Sequence, residues 1–488
     1  MIAPEFDPSM VTAILPEICL VVLAALVLLL DVIWHGNRTK SLSWITTIGL
    51  LLIGGLSLIL PPTIGAQNSG LIFGGMLRVD AASYVFRLVF IFGAAVTALL
   101  AADYKGLNNR GEFYGLLVIS VLGMSLMASA ADLIMIYLAV ETTSIPLYVL
   151  AGFMRKDEKS VEAGIKYMLY GAMTSAVMLF SFSLIFGFTG TTQIYLLAEK
   201  LQAGAVPASL ILTVLVLALV GFGFKISAVP FHFWAPDVYE GAATPVAGFL
   251  STASKAAGFA LLLRFLLAGF PGIQPDWMIV VAVLSTASMI VGNVLALTQK
   301  NLKRLLAYSS IAQAGYILIG VAANSELGST GAVYYLVSYL VTNLAAFGIV
   351  SYVGKSTGSD DISAFAGLSR RKPVMALLML IALLSLGGIP PLAGFVGKLL
   401  VIGAAVKSSL AWLAILGVIN SVVGLYYYLM VLKVIYQQPV AENQEFPEAS
   451  NGWTISMVVC SAGIILLGTV VAPFYNLAVK AASALFAY

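Results

Sequence analysis

Residues 207–238 read PASLILTVLVLALVGFGFKISAVPFHFWAPDV, 32 positions in which Lys225 and Asp237 are the only Lys, Arg, Asp or Glu. A bilayer core about 30 Å thick needs about 20 helical residues at 1.5 Å rise, so this run is too long for one straight crossing. Pro230 and Pro236 each remove a backbone donor and clash with the preceding turn, which places a break in its second half. The stretch 374–405 repeats the plan with Gly387-Gly-Ile-Pro390-Pro391-Leu-Ala-Gly-Phe-Val-Gly-Lys398. Each break has a lysine within two turns. Unwound backbone at membrane depth is tolerated only where protein or a water-filled cavity satisfies it, and broken helices in matching halves mark ion sites. A plain structural kink is the alternative reading of each break taken alone.

The rest of the chain is equally poor in charge. Charged residues are 10% of the 488 positions, against roughly 25% in a soluble domain. With 60% hydrophobic residues and 45 glycines besides, too few positions remain to cover a surface in water, and a soluble globular fold is excluded. Fourteen helices of about 20 residues use nearly the whole hydrophobic complement. Apolar runs bounded by Gly, Pro, Asn and charges place spans near 12–33, 41–60, 80–101, 112–130, 131–151, 161–189, 207–238, 244–269, 276–297, 301–322, 329–353, 374–405, 409–436 and 453–477. Residues 1–11 hold Glu5 and Asp7 and no Lys or Arg. The first run therefore lacks the positive flank of a cleavable signal peptide and is expected to stay as a helix.

Charge placement gives the orientation. With the N-terminus outside, the cytoplasmic connections hold Arg38, Lys40, Lys105, Arg110, Arg155, Lys156, Lys159, Lys300, Lys303, Arg304, Lys355, Arg370, Arg371, Lys372 and Lys433. The opposite side receives Arg78, Lys200, Lys407 and Lys480, so the positive-inside bias puts both termini outside. Six basic residues remain within spans: Arg87, Lys166, Lys225, Lys255, Arg264 and Lys398. Lys166, Arg264 and Arg87 are expected to snorkel to the headgroups. Lys255 falls near the middle of its span and cannot.

An internal repeat orders the spans. Residues 138–152 align with 306–320, matching Leu138/Leu306, Ala139/Ala307, Tyr148/Tyr316, Leu150/Leu318 and Gly152/Gly320. Residues 164–180 align with 331–347 through Gly164/Gly331, Tyr167/Tyr334, Leu169/Leu336 and Phe180/Phe347. The fifth span then corresponds to the tenth and the sixth to the eleventh. An odd number of spans per copy inverts the second copy. The expected fold is an all-α polytopic membrane protein of about fourteen transmembrane helices, with an inverted repeat of five-helix units and two broken helices. Its expected divisions are N-terminal helices at 1–111, a first unit at 112–269, a second at 276–436, and a C-terminal loop and helix at 437–488.

The chemistry is expected where charge lies inside the membrane. Glu141 sits mid-span with no cation on its own helix. Intramembrane ionisable groups are costly and usually pair or line a water path, which makes Glu141, Lys225, Lys255 and Lys398 a candidate proton relay. A structural ion pair explains two of the four but not three lysines against one glutamate. Burial disfavours a lysine's charged form and a nearby carboxylate favours it, so such lysines can load and release protons. His232 either bridges Lys225 to Lys255 or caps unwound backbone. Asp132 and Glu17 are read as groups at outer span ends, Asp132 as a cap. Asp237 and Glu240 are read as partners of cytoplasmic loops or as a site of proton uptake. Cys19 and Cys460 lie in separate apolar stretches with no basis for a disulfide or an iron-sulfur cluster, and His35 and His232 are too few for several haems. Without a phosphate-binding motif, no redox cofactor or metal is expected in this chain, and the thinly spread net charge of +3 argues against nucleic acid.

The stretch Val229-Pro-Phe-His-Phe-Trp-Ala-Pro-Asp-Val-Tyr-Glu-Gly-Ala-Ala-Thr-Pro-Val246 resembles the signature of the subunit N family of proton-pumping NADH:quinone oxidoreductase, respiratory complex I. Lys303-Arg-Leu-Leu-Ala-Tyr-Ser-Ser-Ile311 with Gly315-Tyr316, Gly74-Gly-Met with Asp80, and Gly394-Phe-Val-Gly-Lys398 extend the resemblance over essentially the whole chain. Two departures are Ala243, where proline is usual, and Gln313, where many members have histidine. The resemblance implies that Glu141, Lys225, Lys255 and Lys398 match the family's glutamate, its two central lysines and its exit-side lysine. It further implies that NADH, FMN, iron-sulfur clusters and quinone belong to partner subunits, and that subunits K and M are neighbours. The membrane is expected to be a bacterial plasma membrane, with a thylakoid as the alternative. A subunit of a multi-subunit sodium/proton antiporter is the rival reading, sharing the broken helices and lysines but not the tryptophan motif. A solute permease is a third, for which polar substrate contacts near the midplane would be needed in place of a line of lysines.

Overall fold

The computed structural model describes residues 8–34, 41–60, 70–108, 110–202, 206–439, 446 and 448–487. Glu5, Asp7, His35, Arg38 and Lys40 lie outside the described residues. The chain opens with α1 (Pro8–Ala13), α2 (Leu15–Ile33) and α3 (Ser41–Ile59), followed by a hairpin of β1 (Leu71–Ile72) and β2 (Leu77–Arg78). Next come α4 (Ala81–Ala101), α5 (Gly111–Ser129), α6 (Leu133–Ala151), α7 (Glu158–Thr189), α8 (Ile194–Gln202), α9 (Ala208–Ile226) and α10 (Trp234–Gly241). Then follow α11 (Thr244–Ser251), α12 (Ala253–Gly269), α13 (Gln274–Ala296), α14 (Leu302–Ala322), α15 (Glu326–Thr357) and α16 (Leu368–Arg371). The last are α17 (Pro373–Gly387), α18 (Ala393–Lys407), α19 (Ala411–Gln437), α20 (Asn451–Thr469) and α21 (Val471–Phe486).

Among the described residues thirteen stretches are long and apolar enough to cross a membrane, and the pair α17 and α18 forms a fourteenth broken crossing, as expected from the sequence. Polar residues outside the apolar runs start many of these helices by accepting the orphan N–H groups of the first turn. Asp80 and Ser83 make a reciprocal capping box on α4, Asp132 accepts from Ile134 and Met135 on α6, and Asn301 accepts from Arg304 on α14. The sixth and eleventh spans, α7 and α15, are both 32 residues long and both end on a left-handed glycine, Gly190 and Gly358.

Both predicted breaks are present and share one backbone device. Helix α9 ends on Ser227 at φ 58° with the Ala228 N–H on the Gly223 carbonyl, 2.8 Å. Helix α17 ends on Gly388 at φ 83° with the Ile389 N–H on the Leu384 carbonyl, 3.0 Å. Each is a left-handed cap with a six-to-one bond, which satisfies carbonyls that the interrupted helix would leave bare. A cis X-Pro bond follows in each, Val229-Pro230 and Pro390-Pro391. A third break, at Thr252 between α11 and α12, was not anticipated. Thr252 Oγ1 donates to the Gly248 carbonyl at 2.7 Å and Ser251 Oγ to the same carbonyl at 2.8 Å, so two hydroxyls compete there for a backbone acceptor. The last expected span also ends early, at Thr469, and the chain turns into the separate helix α21, which packs on α4 and α15.

Burial sorts the helices into a centre and a rim. The apolar window of α11–α12 is wholly buried and those of α14 and α15 are 94% buried, whereas α2 and α7 bury a third of theirs. Arg87 and Arg264, expected to snorkel, instead point inward. The Arg87 guanidinium meets Glu17 at 2.7 Å, and Glu17 also accepts from Ser125 at 2.5 Å, tying α2, α4 and α5 together. Arg264 meets both Asp80 oxygens at 2.8 and 2.9 Å and the Ala128 carbonyl at 3.0 Å. Burial alone would raise the Asp80 carboxyl, but Arg264, Ser83 and Arg78 together hold it below the usual carboxylate range. Lys166 stays partly exposed, with Asp237 and Glu162 each at 2.6 Å from its ammonium. Each of the three side chains ends on a carboxylate. For the two arginines that carboxylate comes from a helix distant in sequence.

Candidate functional site

The buried lysines lie on the central helices, each on polar atoms of a neighbouring element. Lys225, in the last turn of α9, donates to Ser144 Oγ on α6 at 3.0 Å. Ser144 in turn donates to the Val140 carbonyl at 2.6 Å. Glu141 is one turn away on the same helix and half-buried. No cation lies within ion-pair distance of its carboxylate among the described residues. The structure thus makes Glu141 and Lys225 neighbours without pairing them.

Lys255 follows the Thr252 break. Its ammonium donates to Ser310 twice, to the hydroxyl at 2.5 Å and the carbonyl at 2.8 Å. A Cβ added at Gly258 would stand 3.2 Å from Lys225 Cγ, so the missing side chain there lets the Lys225 stem lie against α12 one turn beyond Lys255. His232 is buried with its Nδ1 unpartnered and its ring 4.5 Å from that of Phe233. It makes no side-chain hydrogen bond to either lysine among the described residues. Ser227 Oγ and Tyr239 OH, which flank the same break, also lack a hydrogen-bond partner. Buried polar atoms are usually satisfied by protein or ordered water, so this unsatisfied group marks the interval between Lys225 and Lys255 as polar ground.

Lys398 sits beyond the second break and reaches back across it. Its ammonium donates to the Leu386 carbonyl at 3.0 Å, the Gly387 carbonyl at 3.1 Å and Ser421 Oγ at 2.9 Å, and lies 4.6 Å above the Tyr316 ring. The C-terminal carbonyls of a helix carry partial negative charge, and an aromatic face adds cation–π attraction. Tyr316 is itself fixed by Asn293 Nδ2 at 3.1 Å, and Asn293 also bonds Asn420 and Tyr427.

Between Lys255 and Lys398 runs a set of groups that the sequence did not single out as a unit. Ser309 and Tyr428 share a short hydrogen bond, and Gln313 Nε2 donates to Tyr428 OH at 3.2 Å and to the Leu386 carbonyl at 3.1 Å. Tyr335 OH donates to Gln313 Oε1. The adjacent hydroxyls Ser309-Ser310 and the Tyr427-Tyr428 pair, each inside an apolar span, were the available signals.

At the end of the bundle carrying α10, Asp237 and Glu240 meet three cations. Arg304 lies 2.7 Å from Asp237 and 3.0 Å from Glu240, Lys166 lies 2.6 Å from Asp237, and Lys159 lies 2.9 Å from Glu240. This ties α7, α10 and α14 together beside the first break. Asp132 caps α6 as expected and also accepts from Thr192 at 2.5 Å. Among the described residues no cluster of three His, Cys, Asp or Glu side chains could hold a metal ion.

Residues 130–424 match a family model described as NADH:quinone oxidoreductase/Mrp antiporter, transmembrane. NADH-quinone oxidoreductase subunit N of Moorella thermoacetica is 42% identical over 93% of this chain and 94% of its own length. NAD(P)H-quinone oxidoreductase subunit 2 of Synechocystis sp. is 41% identical over 95% of this chain and 91% of its own. A chain of respiratory complex I from Thermus thermophilus shares 34% identity at a TM-score of 0.80, covering 94% of this chain and 98% of that one. A chain of the Mrp complex from Dietzia sp. reaches a TM-score of 0.82 at 21% identity over 96% and 97% of the two chains, a likeness of fold alone.

Proposed function

The chain belongs to the family of NADH-quinone oxidoreductase subunit N, and from that premise we propose that it moves protons across the membrane arm of the complex along Glu141, Lys225, Lys255 and Lys398. One observation carries this reading: of the four buried lysines among the described residues, Lys303 meets Asp360 at 3.2 Å, whereas Lys225, Lys255 and Lys398 have no carboxylate within ion-pair distance. Elsewhere in this chain the buried arginines are matched with carboxylates. A structural role asks for paired charge. Unpaired lysines on hydroxyls and carbonyls fit proton carriage.

In this mechanism, quinone reduction in partner subunits shifts charge along the membrane arm and alters the approach of Glu141 to Lys225. When the carboxylate is near, the ammonium holds its proton. When it withdraws, desolvation dominates and the proton passes toward Lys255, with His232 and the neighbouring hydroxyls lining the interval, and then to Lys398 and outward. Moving one charge against roughly 150 mV costs about 3.5 kcal/mol, within what a change of partner at a buried ion supplies. Glu141 stands beside Leu138 and Ile145, both about half exposed, so this face of α6 is one that a neighbouring subunit would cover.

On this reading the proton units are the five-helix sets 112–269 and 276–436, with 1–111 and 437–488 packed around them. Subunits K and M are the neighbours, NADH, FMN, iron-sulfur clusters and quinone lie in partner chains, and the membrane is a bacterial plasma membrane with both termini outside. The test is proton pumping driven by NADH oxidation in assembled complexes carrying Glu141→Ala or Lys225→Ala. Loss of pumped protons per electron pair is expected; the wild-type ratio in either variant sinks the relay.

A further inference from the structure

Gln313 occupies the middle of the interval from Lys255 to Lys398, and its amide is fully committed. Both Nε2 hydrogens are given away, to the Leu386 carbonyl and to Tyr428 OH, while Oε1 accepts from Tyr335. A carboxamide does not titrate and passes no proton along its hydrogen bonds. The Leu386 carbonyl, shared by Gln313 at 3.1 Å and Lys398 at 3.0 Å, is likewise only an acceptor. The file of side chains is therefore closed to proton hopping at Gln313, although both lysines hang from it. Tyr428 OH touches both sides of this closure, through its bond to Ser309 and its bond to Gln313. Ser309 is next along α14 to Ser310, which holds the Lys255 ammonium by its hydroxyl and its carbonyl. Either oxygen can be the donor in the Ser309–Tyr428 bond, so the Tyr428 oxygen can take a proton from Ser309 while it accepts from Gln313.

Resting on the pathway proposed above, we propose that Tyr428 carries the proton past Gln313. Lys255 gives a proton to the Ser310 hydroxyl, and water carries one from there to the Ser309 hydroxyl beside it on α14. Ser309 places a proton on the Tyr428 oxygen while Tyr428, turning from its Gln313 bond, releases one to a water molecule, and that water protonates the neutral amine of Lys398. Lys255 has then lost one proton, Lys398 has gained one, and the hydroxyls and the water are as they began. Gln313 acts as a positioning residue that returns Tyr428 to Ser309 after each passage.

Tyr428→Phe keeps the ring, including its edge contact with Tyr427 at 4.5 Å between centroids, and removes only the hydroxyl. In purified complex in liposomes, its pumped protons per electron pair should fall as far as in Lys255→Ala. Adding Gln313→His to Tyr428→Phe should restore the ratio, because an imidazole takes a proton on one nitrogen and gives it from the other. The wild-type ratio in Tyr428→Phe, or a loss that the double variant leaves in place, overturns the proposal. Where Tyr428→Phe does not assemble, Ser309→Ala cuts the same bond from the other side: loss of pumping supports the bridge and normal pumping overturns it. Normal pumping in Lys255→Ala would remove the whole pathway; a defect there with normal Tyr428→Phe removes only this step.

Discussion

The two helix breaks are alike in backbone and opposite in chemistry. Both end a half-helix on a left-handed residue with the same six-to-one bond, yet Lys225 stands before its break and Lys398 after it. Among the described residues Lys225 donates to a single hydroxyl, Ser144, with Glu141 one turn from it on α6 and unpaired. Lys398 turns back onto the bare end of α17, where two carbonyls, a hydroxyl and an aromatic face receive it. The same fold device therefore provides a loosely held ammonium at one place and a fully coordinated one at the other. The first responds to where a carboxylate lies. The second holds charge.

The largest expected difference follows from removing each ammonium. Lys398→Met removes three hydrogen bonds to a charged group, each contributing about 1.5–3 kcal/mol, although the Leu386 carbonyl keeps Gln313 and the Gly387 carbonyl keeps Ser421 at 3.3 Å. Lys225→Met frees only Ser144, which keeps its bond to the Val140 carbonyl. Both variants should lose pumping, but only Lys398→Met should lower the thermal midpoint of the purified complex appreciably. Equal losses of stability would break the contrast.

A smaller effect separates the hydroxyls. Hydrogen bonds to charged groups contribute about 1.5–3 kcal/mol; among the described residues Ser144 supplies the one such bond to Lys225, whereas Ser421 supplies one of three to Lys398. Ser144→Ala should slow pumping markedly and Ser421→Ala little, measured as initial rates in sealed vesicles. A stronger defect in Ser421→Ala would reverse the assignment of the loosely held site.

The smallest effects lie in the caps. Ser227 adopts φ 58° at a penalty of about 1 kcal/mol that glycine avoids, so Ser227→Gly should leave stability unchanged or slightly raised. Gly388→Ala takes on that penalty and sets its Cβ 2.9 Å from Lys398 Cδ. Thermal unfolding should therefore come at a lower temperature in Gly388→Ala but not in Ser227→Gly, with pumping reduced only in Gly388→Ala.

Much of this was legible because membrane burial leaves a strong mark on sequence. Apolar runs gave the spans, Pro230 and Pro390-Pro391 gave two breaks, and the mid-span lysines stood out because hydrocarbon excludes charge. The Thr252 break left no such mark, since it arises from hydroxyls competing for one carbonyl and not from proline or glycine. Arg87 and Arg264 were misread because the nearest solvent for each guanidinium is a carboxylate 70 and 184 positions away in sequence, a distance over which local pattern carries no information. Tyr428 was overlooked for a related reason. A tyrosine in an apolar span looks like packing until its hydroxyl is seen on Ser309 and Gln313.

The buried Arg87–Glu17 and Arg264–Asp80 pairs bear on how the chain is made. In both, the carboxylate precedes the arginine in the order of synthesis. A carboxylic acid can wait in the bilayer in its neutral form, whereas a guanidinium cannot shed its charge. Each arginine thus leaves the ribosome after its counter-ion has emerged, and the late arrival of the permanent charge closes the contact between an earlier helix and a later one. A chain with these pairs reversed in order would hold the same native contacts but would expose an unmatched arginine to the insertion machinery for the whole interval between them.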